Sequence, residues 1–490
     1  MKAHALMISL PYQGHINPFL HLALNLASNG FSITFVHTHH AHHSISKSRR
    51  ADRRRNRDRE DDDVFAASRG AGLDINYATI YDGFPLEYDR NSNMLEFWEH
   101  LLYKFPEHVD EFVGKWISEL SSSSENDVSP IPFLIADTFA TWPRLIAKKY
   151  NLVNVSFWTQ PALVFALSYH IDFFTRNGHS ARSGDRDAVI DYIPGVEPMS
   201  AKDLMPHLQE PDESHIVHKI IAMAIDEVKK ADFVLHNTVQ ELEEHALSVF
   251  GKLMPTYAIG PTNFFSMNNA FSNDLLSETD CTEWLNSKPP GSVLYVSFGS
   301  LVTIGKEVVR ETAEGIRLSR VSFLWAIRPG ATDDGETNAL PAGFQDGVKD
   351  RGLIVPWCDQ SAVLSHPAVG AFVTHCGWNS ILESMWHGVP MICYPVLYDQ
   401  PTNRKLVVDD WKVGINLAAG AGAAVVDGED VAEKIKSVMC GEASHELRNN
   451  TLKFKKIVRN ALAEDGSSKR NFDRFVKDLN EKLMKSKKIA

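Results

Sequence analysis

The stretch from Trp357 to Gln400 constrains the fold of this chain more than any other. It opens into a short apolar run, Gly370 to Thr374, which is followed by a turn at His375–Gly377 and a segment with helical composition. Gly388 is a typical helix-ending residue, and Met391 to Tyr394 is predicted as the next buried strand. A strand–turn–helix–strand unit of this kind is typical of a doubly wound α/β sheet.

The helix of this unit begins on a glycine turn at the carboxyl end of a strand. We expect Asn379 or Ser380 as its cap, and Glu383 stands three residues after Ser380, which is the spacing of a capping box. The first N–H groups of a helix lack partners within it and carry the positive end of its dipole. The sequence therefore predicts a phosphate or pyrophosphate site at this helix start.

The length and composition of the chain limit its class. Its 490 residues favour two domains of roughly 250 and 200 residues. The net charge of −12 argues against nucleic acid or an anionic membrane as a partner. No apolar run reaches the ~18 residues of a membrane span, and we interpret the N-terminus as a first strand rather than a signal peptide. Five cysteines without a C-x-x-C pair indicate reduced thiols and a cytoplasmic protein.

Polar side chains follow two predicted strands of the N-terminal half. His15 comes after the strand Leu6–Leu10, and Asp137 after the strand Pro132–Ala136. Carboxyl ends of parallel strands meet at one edge of a sheet, so both side chains are expected at one crevice. The residues alone leave two alternatives open: a surface turn for His15, and a helix N-cap for Asp137. In the C-terminal half, Ser300 follows a strand in the same manner and suits a phosphate oxygen.

Two polar segments of the N-terminal half have no predicted part in catalysis. Five histidines lie close together, and their spacing matches no standard zinc pattern, so we expect a structural or surface role: His37, His39, His40, His42 and His43. Arg49 to Asp63 holds seven arginines and six acidic residues with almost no apolar residue. Such a segment cannot build a core, and the sequence predicts a solvated, mobile insertion over residues 46–70.

The stretch Trp357–Gln400, with its H-C-G-W-N-S and closing D-Q, resembles without a gap the 44-residue signature of the plant family-1 UDP-dependent glycosyltransferases. The resemblance implies the GT-B fold, an α/β architecture of two Rossmann-like doubly wound domains that face each other across a cleft. It implies an acceptor-binding domain at 1–255, a linker at 256–280, a UDP-sugar-binding domain at 281–460, and a C-terminal helix at 461–490 that returns to the first domain.

The resemblance also implies roles for single residues. The pattern P-x-x-G-H-x-x-P around His15 is similar to the place where the family carries its catalytic base, with Asp137 as its partner. In the signature, the resemblance assigns Trp357 to the uracil, Gln360 and Glu383 to the ribose, His375, Trp378, Asn379 and Ser380 to the diphosphate, and Asp399 and Gln400 to the hexose. Because a closing glutamine goes mostly with glucose in this family, UDP-glucose is the expected donor.

The expected reaction is a single displacement that inverts an α-linked donor into a β-glycoside of a small plant metabolite. The acceptor pocket should be lined by side chains near His15, with these candidates: Phe84, Met94, Trp98, Phe139, Trp142 and Leu204. No D-x-D pair is found at a predicted site, so we expect no metal. The resemblance implies UDP-sugar as co-substrate and no permanently bound cofactor. We expect a monomer. A C-glycosyltransferase and a catalytically silent UDP-sugar-binding protein remain open alternatives.

Overall fold

The structure of the protein is a computed structural model. It describes residues 2–53, 64–90, 92–122, 130–177, 188–209, 215–265, 279–301, 303–328, 330–332, 340–417 and 427–489. The predicted insertion therefore falls partly outside the described residues, and so does most of the predicted linker.

A parallel sheet organises the N-terminal half. Its described strands are β1 (Ala3–Ile8), β2 (Ser32–Thr38), β3 (Ile75–Ile80), β4 (Ile131–Asp137), β5 (Val153–Trp158), β8 (Phe233–His236) and β9 (Thr256–Ala258). Between β5 and β8 in the chain, β6 (Val189–Ile190) and β7 (Met199–Ser200) form a separate small antiparallel sheet. The order across the sheet is β3-β2-β1-β4-β5-β8-β9. All six residues of β1 are buried, as expected for a central strand covered on both faces.

Helices cover both faces of this sheet. They are Gln13–Ser28, His39–Arg53, Ala66–Gly70, Met94–Tyr103, Phe105–Ser122, Pro143–Tyr150, Ala162–Tyr169, Ile171–Arg176, Pro206–Gln209, Ile216–Val228 and Glu244–Leu253, with 3₁₀ turns at Ala201–Asp203, Gln240–Leu242 and Thr262–Phe264. One face of β1 packs against the first helix through Phe19, and the other face packs against Phe105–Ser122 through Val109.

A second parallel sheet organises the C-terminal half. Its described strands are β10 (Val293–Ser297), β11 (Ser322–Ala326), β12 (Gly352–Val355), β13 (Val369–Thr374), β14 (Met391–Cys393) and β15 (Gly414–Asn416), in the order β12-β11-β10-β13-β14-β15. Its helices are Thr282–Asn286, Lys306–Ser319, Phe344–Val348, Gln360–Ser365, Trp378–His387, Gln400–Lys405, the π-helical Leu406–Asp410, Gly428–Met439, Glu442–Ala461 and Ser467–Ile489. The predicted α/β class with two doubly wound sheets is confirmed.

The final helix belongs by packing to the first half. Phe475 lies in the core of the N-terminal sheet and meets Phe233 edge-on at 5.8 Å. Asp478 accepts a 2.7 Å hydrogen bond from the Tyr257 hydroxyl, and Lys482 lies 2.7 Å from Asp232. The chain therefore crosses between its halves twice, and the second crossing closes the first domain.

Two expected boundaries need correction. The linker expected at 256–280 begins too early, because Thr256–Ala258 pairs with β8 and forms the edge of the first sheet. The expectation of a solvated segment over 46–70 is wrong at its C-terminal end, because Phe65 is fully buried and packs on Phe35 at 5.2 Å. An apolar side chain at this end escaped notice beside the long charged run, of which residues 54–63 lie outside the described residues.

Candidate active site

A cleft with a cavity of about 320 Å³ lies between the carboxyl ends of the two sheets. Its first wall comes from the N-terminal half and includes Tyr12, His15, His21 and Phe139. Its second wall contains every residue that was predicted to bind the UDP-sugar: Ser300, Trp357, Gln360, His375, Trp378, Asn379, Ser380, Glu383, Asp399 and Gln400. The two parts of the predicted site therefore face each other across one cavity.

The first wall carries an imidazole–carboxylate pair. His15 lies in the first turn of the helix Gln13–Ser28, and its Nδ1 is 2.7 Å from Oδ2 of Asp137. The hydroxyl of Thr159 lies 3.1 Å from the same nitrogen. With Nδ1 engaged by the carboxylate, Nε2 is the ring nitrogen that can accept a proton.

The protonation of His15 depends on two opposing effects. Burial lowers the pKa of the imidazole, but the charge of Asp137 and its hydrogen bond outweigh burial and leave the pKa of His15 raised. Asp399 of the opposite wall adds to this rise. His21 lines the same cavity without such a partner, and burial lowers its pKa to about 4.

The structure decides the two alternatives that the sequence left open. Asp137 ends β4, six residues before the helix Pro143–Tyr150, and therefore does not cap it. Instead, its Oδ1 accepts the backbone N–H of Phe139 at 3.1 Å, and this bond fixes the carboxylate toward His15. His15 is helical and part of the cleft wall rather than a surface turn.

The signature helix begins at Trp378 and is preceded by Gly377 as its cap residue. The cap predicted at Asn379 or Ser380 is wrong, and in the described chain no side chain caps the first turn. Glu383 accordingly forms no capping box. The uncapped N–H groups of this ten-residue helix border the cleft, which is the arrangement that binds anions. Gly388, with φ of 78°, ends the helix as predicted.

His375 is held between two glycines at this helix start. A Cβ on Gly299 would approach its ring to 2.6 Å, and one on Gly377 to 2.4 Å. Burial lowers the pKa of His375 to about 4, so the ring is neutral at pH 7. Its Nδ1 is buried and has no hydrogen-bond partner among the described residues. A buried orphan nitrogen beside an uncapped helix fits a phosphate oxygen as the missing partner.

A hydrogen-bond network fixes the side chains next to the helix. Gln360 donates through Nε2 to the Ser380 hydroxyl at 2.9 Å and to the Glu383 carboxylate at 2.8 Å. Its Oε1 accepts from the Tyr295 hydroxyl at 3.4 Å, and Asn263 donates to Glu383 at 3.3 Å. Burial raises the pKa of Glu383 to about 7. The hydrogen bonds from Gln360 and Asn263 hold the Glu383 side chain in place, and its oxygens can still accept hydrogen bonds from hydroxyl groups.

Asp399 and Gln400 open the next helix of the second wall. Burial raises the pKa of Asp399 to about 6, and Asn403 holds its Oδ2 at 2.6 Å. Oε1 of Gln400 accepts the N–H groups of Val396 and Leu397 at 2.8 and 2.9 Å. The amide NH₂ of Gln400 is thus the end that can reach a ligand.

The predicted acceptor residues are placed less uniformly. Trp98 and Phe139 line the cavity. Leu204 is fully buried in a core cluster that spans both halves, and Trp142 is 3% exposed in the core of the N-terminal half; neither residue lines the cavity. Phe84 packs on Tyr88, and Met94 reaches the cleft only through its contact with the Tyr398 hydroxyl at 3.2 Å.

Several cleft residues were missed from the sequence. Thr159 follows β5 as Ser300 follows β10, so the strand-end rule that selected Ser300 would also have found it. Tyr12 lines the cavity three residues before His15, but its position in the turn carried no separate signal. Asn237 also escaped notice, and its backbone carbonyl accepts the indole N–H of Trp378 at 2.7 Å.

Two histidines of the predicted cluster contact one tyrosine outside the cleft. Nδ1 of His37 and Nδ1 of His42 lie 3.0 and 2.9 Å from the Tyr77 hydroxyl. Across the part of the chain that the structure describes, no three His, Cys, Asp or Glu side chains converge as metal ligands. No described helix is both long and apolar enough to cross a bilayer.

Comparison with known proteins places the chain among sugar transferases. A model of the family described as UDP-glucoronosyl and UDP-glucosyl transferase matches residues 208–460. UDP-glycosyltransferase 86A1 of Arabidopsis thaliana is 48% identical over 98% of this chain and 95% of its own length. The 7-deoxyloganetin glucosyltransferase of Catharanthus roseus is 33% identical over 98% of this chain and 97% of its own length.

Solved structures agree with this placement. Os79 from O. sativa in complex with UDP matches with a TM-score of 0.78 and 26% identity, over 97% of this chain and 99% of its own. The UDP-glucose:anthocyanidin 3-O-glucosyltransferase in complex with UDP matches with a TM-score of 0.79 and 26% identity, over 98% and 99%. The GT-B class expected from the sequence is confirmed.

Proposed function

The chain belongs to the plant family-1 UDP-dependent glycosyltransferases, and on that premise we propose that it transfers glucose from UDP-glucose to a hydroxyl of a small plant metabolite with His15 as general base. The observation that carries the proposal is the 2.7 Å pair of His15 and Asp137 facing the signature residues across one cavity. A base and a leaving-group site on opposite walls are what an in-line displacement requires.

The first step assigned to the protein is removal of the acceptor proton. Nε2 of His15 takes the proton of the hydroxyl as its oxygen attacks the anomeric carbon, and Asp137 stabilises the imidazolium that forms. The Asp137 contacts also hold the ring in the tautomer that leaves Nε2 unprotonated. The raised pKa of His15 makes it a stronger base than an isolated buried histidine.

The second step is departure of UDP. The N–H groups at the start of Trp378–His387, the Ser300 hydroxyl and the His375 imidazole bind the diphosphate as negative charge develops on it. Glu383 accepts from the ribose hydroxyls, and Trp357 packs on the uracil. Asp399 and the NH₂ group of Gln400 bind the hexose hydroxyls, with Asn403 fixing the carboxylate.

The products follow from this geometry. A single displacement inverts the anomeric carbon, so an α-linked donor yields a β-glycoside. Glucose as the sugar is supported by the closing Gln400 and by two similar proteins that are named glucosyltransferases. The apolar wall around Trp98, Phe139 and Met205 fits a flat phenolic or terpenoid acceptor.

Metal independence and a cytoplasmic location are also part of the proposal. Helix N–H groups and neutral donors supply the charge stabilisation that a metal ion would otherwise supply. The five cysteines, all within the described residues, form no disulfide, which fits a reducing compartment. EDTA should leave turnover unchanged, and a large loss of activity on chelation would contradict this part of the proposal.

The proposal is tested by UDP release from UDP-glucose with a panel of flavonoids, terpenoids and simple phenols, followed by NMR of the product. We expect acceptor-dependent UDP release and a β-linked O-glucoside. A carbon–carbon glycosidic bond would instead identify a C-glycosyltransferase. Binding of UDP-glucose without acceptor-dependent UDP release would indicate a silent UDP-sugar-binding protein. UDP-galactose and UDP-glucuronic acid are the control donors.

A further inference from the structure

Among the contacts that join the two halves of the molecule, one beside the cleft is an ion pair. The 3₁₀ turn Ala201–Asp203 of the N-terminal half packs against the helix Gln400–Lys405 of the C-terminal half. The guanidinium of Arg404 forms an ion pair with the Asp203 carboxylate across this contact. The Thr402 hydroxyl donates to the Asp203 backbone carbonyl at 2.7 Å.

The contact is shielded from water. The side chains of Arg404 and Asp203 are 5% and 6% exposed, and Thr402 is fully buried. A charge pair with so little solvent is screened weakly, and removal of one partner leaves the other charge buried without compensation. Substitution of one partner alone should therefore disturb the contact far more than the loss of a surface ion pair would.

On each side of the contact, residues close in sequence line a different wall of the cleft. On the N-terminal side, Met205 follows Asp203 by two residues and lines the cavity. On the C-terminal side, Gln400 lies one helical turn before Arg404, at roughly 6 Å along the axis. Asn403 of the same helix holds the Asp399 carboxylate at 2.6 Å and the Cys376 carbonyl at 2.9 Å.

We propose that Asp203, Thr402 and Arg404 form an interdomain clamp that sets the distance and orientation between the hexose-binding residues and the base-bearing wall. Its members are positioning residues, since none of them lines the cavity among the described residues. This inference rests on the proposed function, because it assigns the clamp a role in the transfer step. Without the clamp, Asp399 and Gln400 shift as a unit relative to His15.

The clamp has a specific functional consequence. The residues assigned to the diphosphate and the uridine are Ser300 and members of the signature, and none of them belongs to the clamp, so we expect UDP affinity not to depend on it. Alignment of the anomeric carbon with the acceptor oxygen does depend on it, and a misplacement of about 1 Å can cost 10²-fold in rate. A loosened cleft also admits water, which competes with the acceptor for the sugar.

The test measures transfer, UDP binding and sugar hydrolysis in three variants of the full chain. Asp203→Asn removes the cross-domain charge at constant size, and Thr402→Val removes the hydroxyl at constant shape. In Asp203→Asn we expect kcat for transfer to fall about 10- to 100-fold, UDP affinity to stay within about threefold, and the fraction of donor lost to hydrolysis to rise. Thr402→Val should show the same pattern more weakly.

Two matched controls separate the clamp from general loss of charge. Asp409 lies 3.0 Å from the same guanidinium but belongs to the same half as Arg404. Asp410 pairs with the buried Lys405 at 2.7 Å within its own half. Asp409→Asn and Asp410→Asn should keep kcat and the hydrolysis fraction close to those of the parent.

The third variant keeps the test decisive if Asp203→Asn folds poorly. Asp203→Asn combined with Arg404→Met removes both charges, and neutral replacement of a buried pair is often tolerated. We expect this double variant to bind UDP and to show the lowered kcat with raised hydrolysis. Parental kcat and hydrolysis in the folded double variant would overturn the clamp. Absence of transfer by the parent protein itself would instead count against the proposed function.

Discussion

The two walls of the cleft are built on different physical principles. The wall that faces the donor is polar and tied internally, with Gln360 joining Tyr295, Ser380 and Glu383 in one network. The wall that faces the acceptor includes an apolar surface that is assembled from separate elements, with Trp98, Phe139, Val164, Met205 and Ile220 on five different segments. The donor wall is fixed by its hydrogen-bond network, whereas this apolar surface is fixed by packing.

Because the two walls are built differently, donor specificity and acceptor specificity depend on different residues. A preorganised polar wall suits one constant ligand, because directional bonds lose their energy on small misfits. An apolar wall discriminates weakly per group and can change without loss of the polar network. We therefore expect substitutions on the two walls to affect different observables, and His15 to stand apart from both as the group that acts on the reacting atoms.

The largest effect is expected for His15→Ala. Loss of the base should lower kcat by about 10²- to 10⁴-fold, because general-base help of this size is removed. His21→Ala is the matched control: it removes an imidazole from the same helix and the same cavity, but one without a carboxylate partner. Equal loss of turnover by both variants in steady-state assays would contradict the role of His15 as general base.

Asp137→Asn should give a smaller loss with a change in pH dependence. The carboxylate raises the pKa of His15, whereas burial lowers it, so removing the charge leaves the lowering effect dominant. The base must be neutral to act, and the acid limb of the kcat/KM profile should therefore move to lower pH. A limb that stays in place, or moves to higher pH, would contradict the assigned pairing.

Glu383→Ala should act on the donor alone. Because burial raises the pKa of Glu383 to about 7, the effect is expected above that pH, where the carboxylate is charged and its hydrogen bonds contribute about 1.5–3 kcal/mol, or roughly 10- to 100-fold in Kd for UDP. The change should be read by calorimetry, with uridine as a second ligand that lacks the diphosphate. A Kd that weakens for UDP and remains unchanged for uridine would show that Glu383 does not serve the ribose.

The smallest effect is expected on the acceptor wall. Met205→Ala removes apolar surface from the cavity and should change the ratio of kcat/KM between two acceptors by about tenfold. Donor KM should stay constant. Leu204→Ala offers the contrast, because Leu204 is as buried as Met205 but does not line the cavity, so the change should lower stability to heat without changing acceptor preference.

The sequence predicted almost every residue of the donor wall. Its residues lie within one 44-residue stretch whose strand, turn and helix read clearly, and Ser300 follows from the same strand-end rule. His15 and Asp137 were also accessible, because parallel strands bring their carboxyl ends to one edge. What failed locally was the cap of the signature helix, where Gly377 takes the position and leaves the N–H groups to the cleft.

The acceptor wall could not be read in the same way. Leu204 and Met205 are neighbours of similar apolar character and both are buried in one core cluster, yet of the two only Met205 also lines the cavity. Side-chain direction in the irregular segment around them depends on tertiary packing rather than on a period of two or 3.6 residues. The Asp203–Arg404 contact was invisible for a related reason, because 201 positions separate its partners.

The division of labour between the walls is tested most directly by titrating UDP into the His15→Ala protein in a calorimeter. We expect a Kd for UDP within about twofold of the parent value, because no part of the proposed diphosphate, ribose or uracil site includes His15. A Kd weakened as strongly as in Glu383→Ala would contradict it, since UDP binding would then depend on the base-bearing wall.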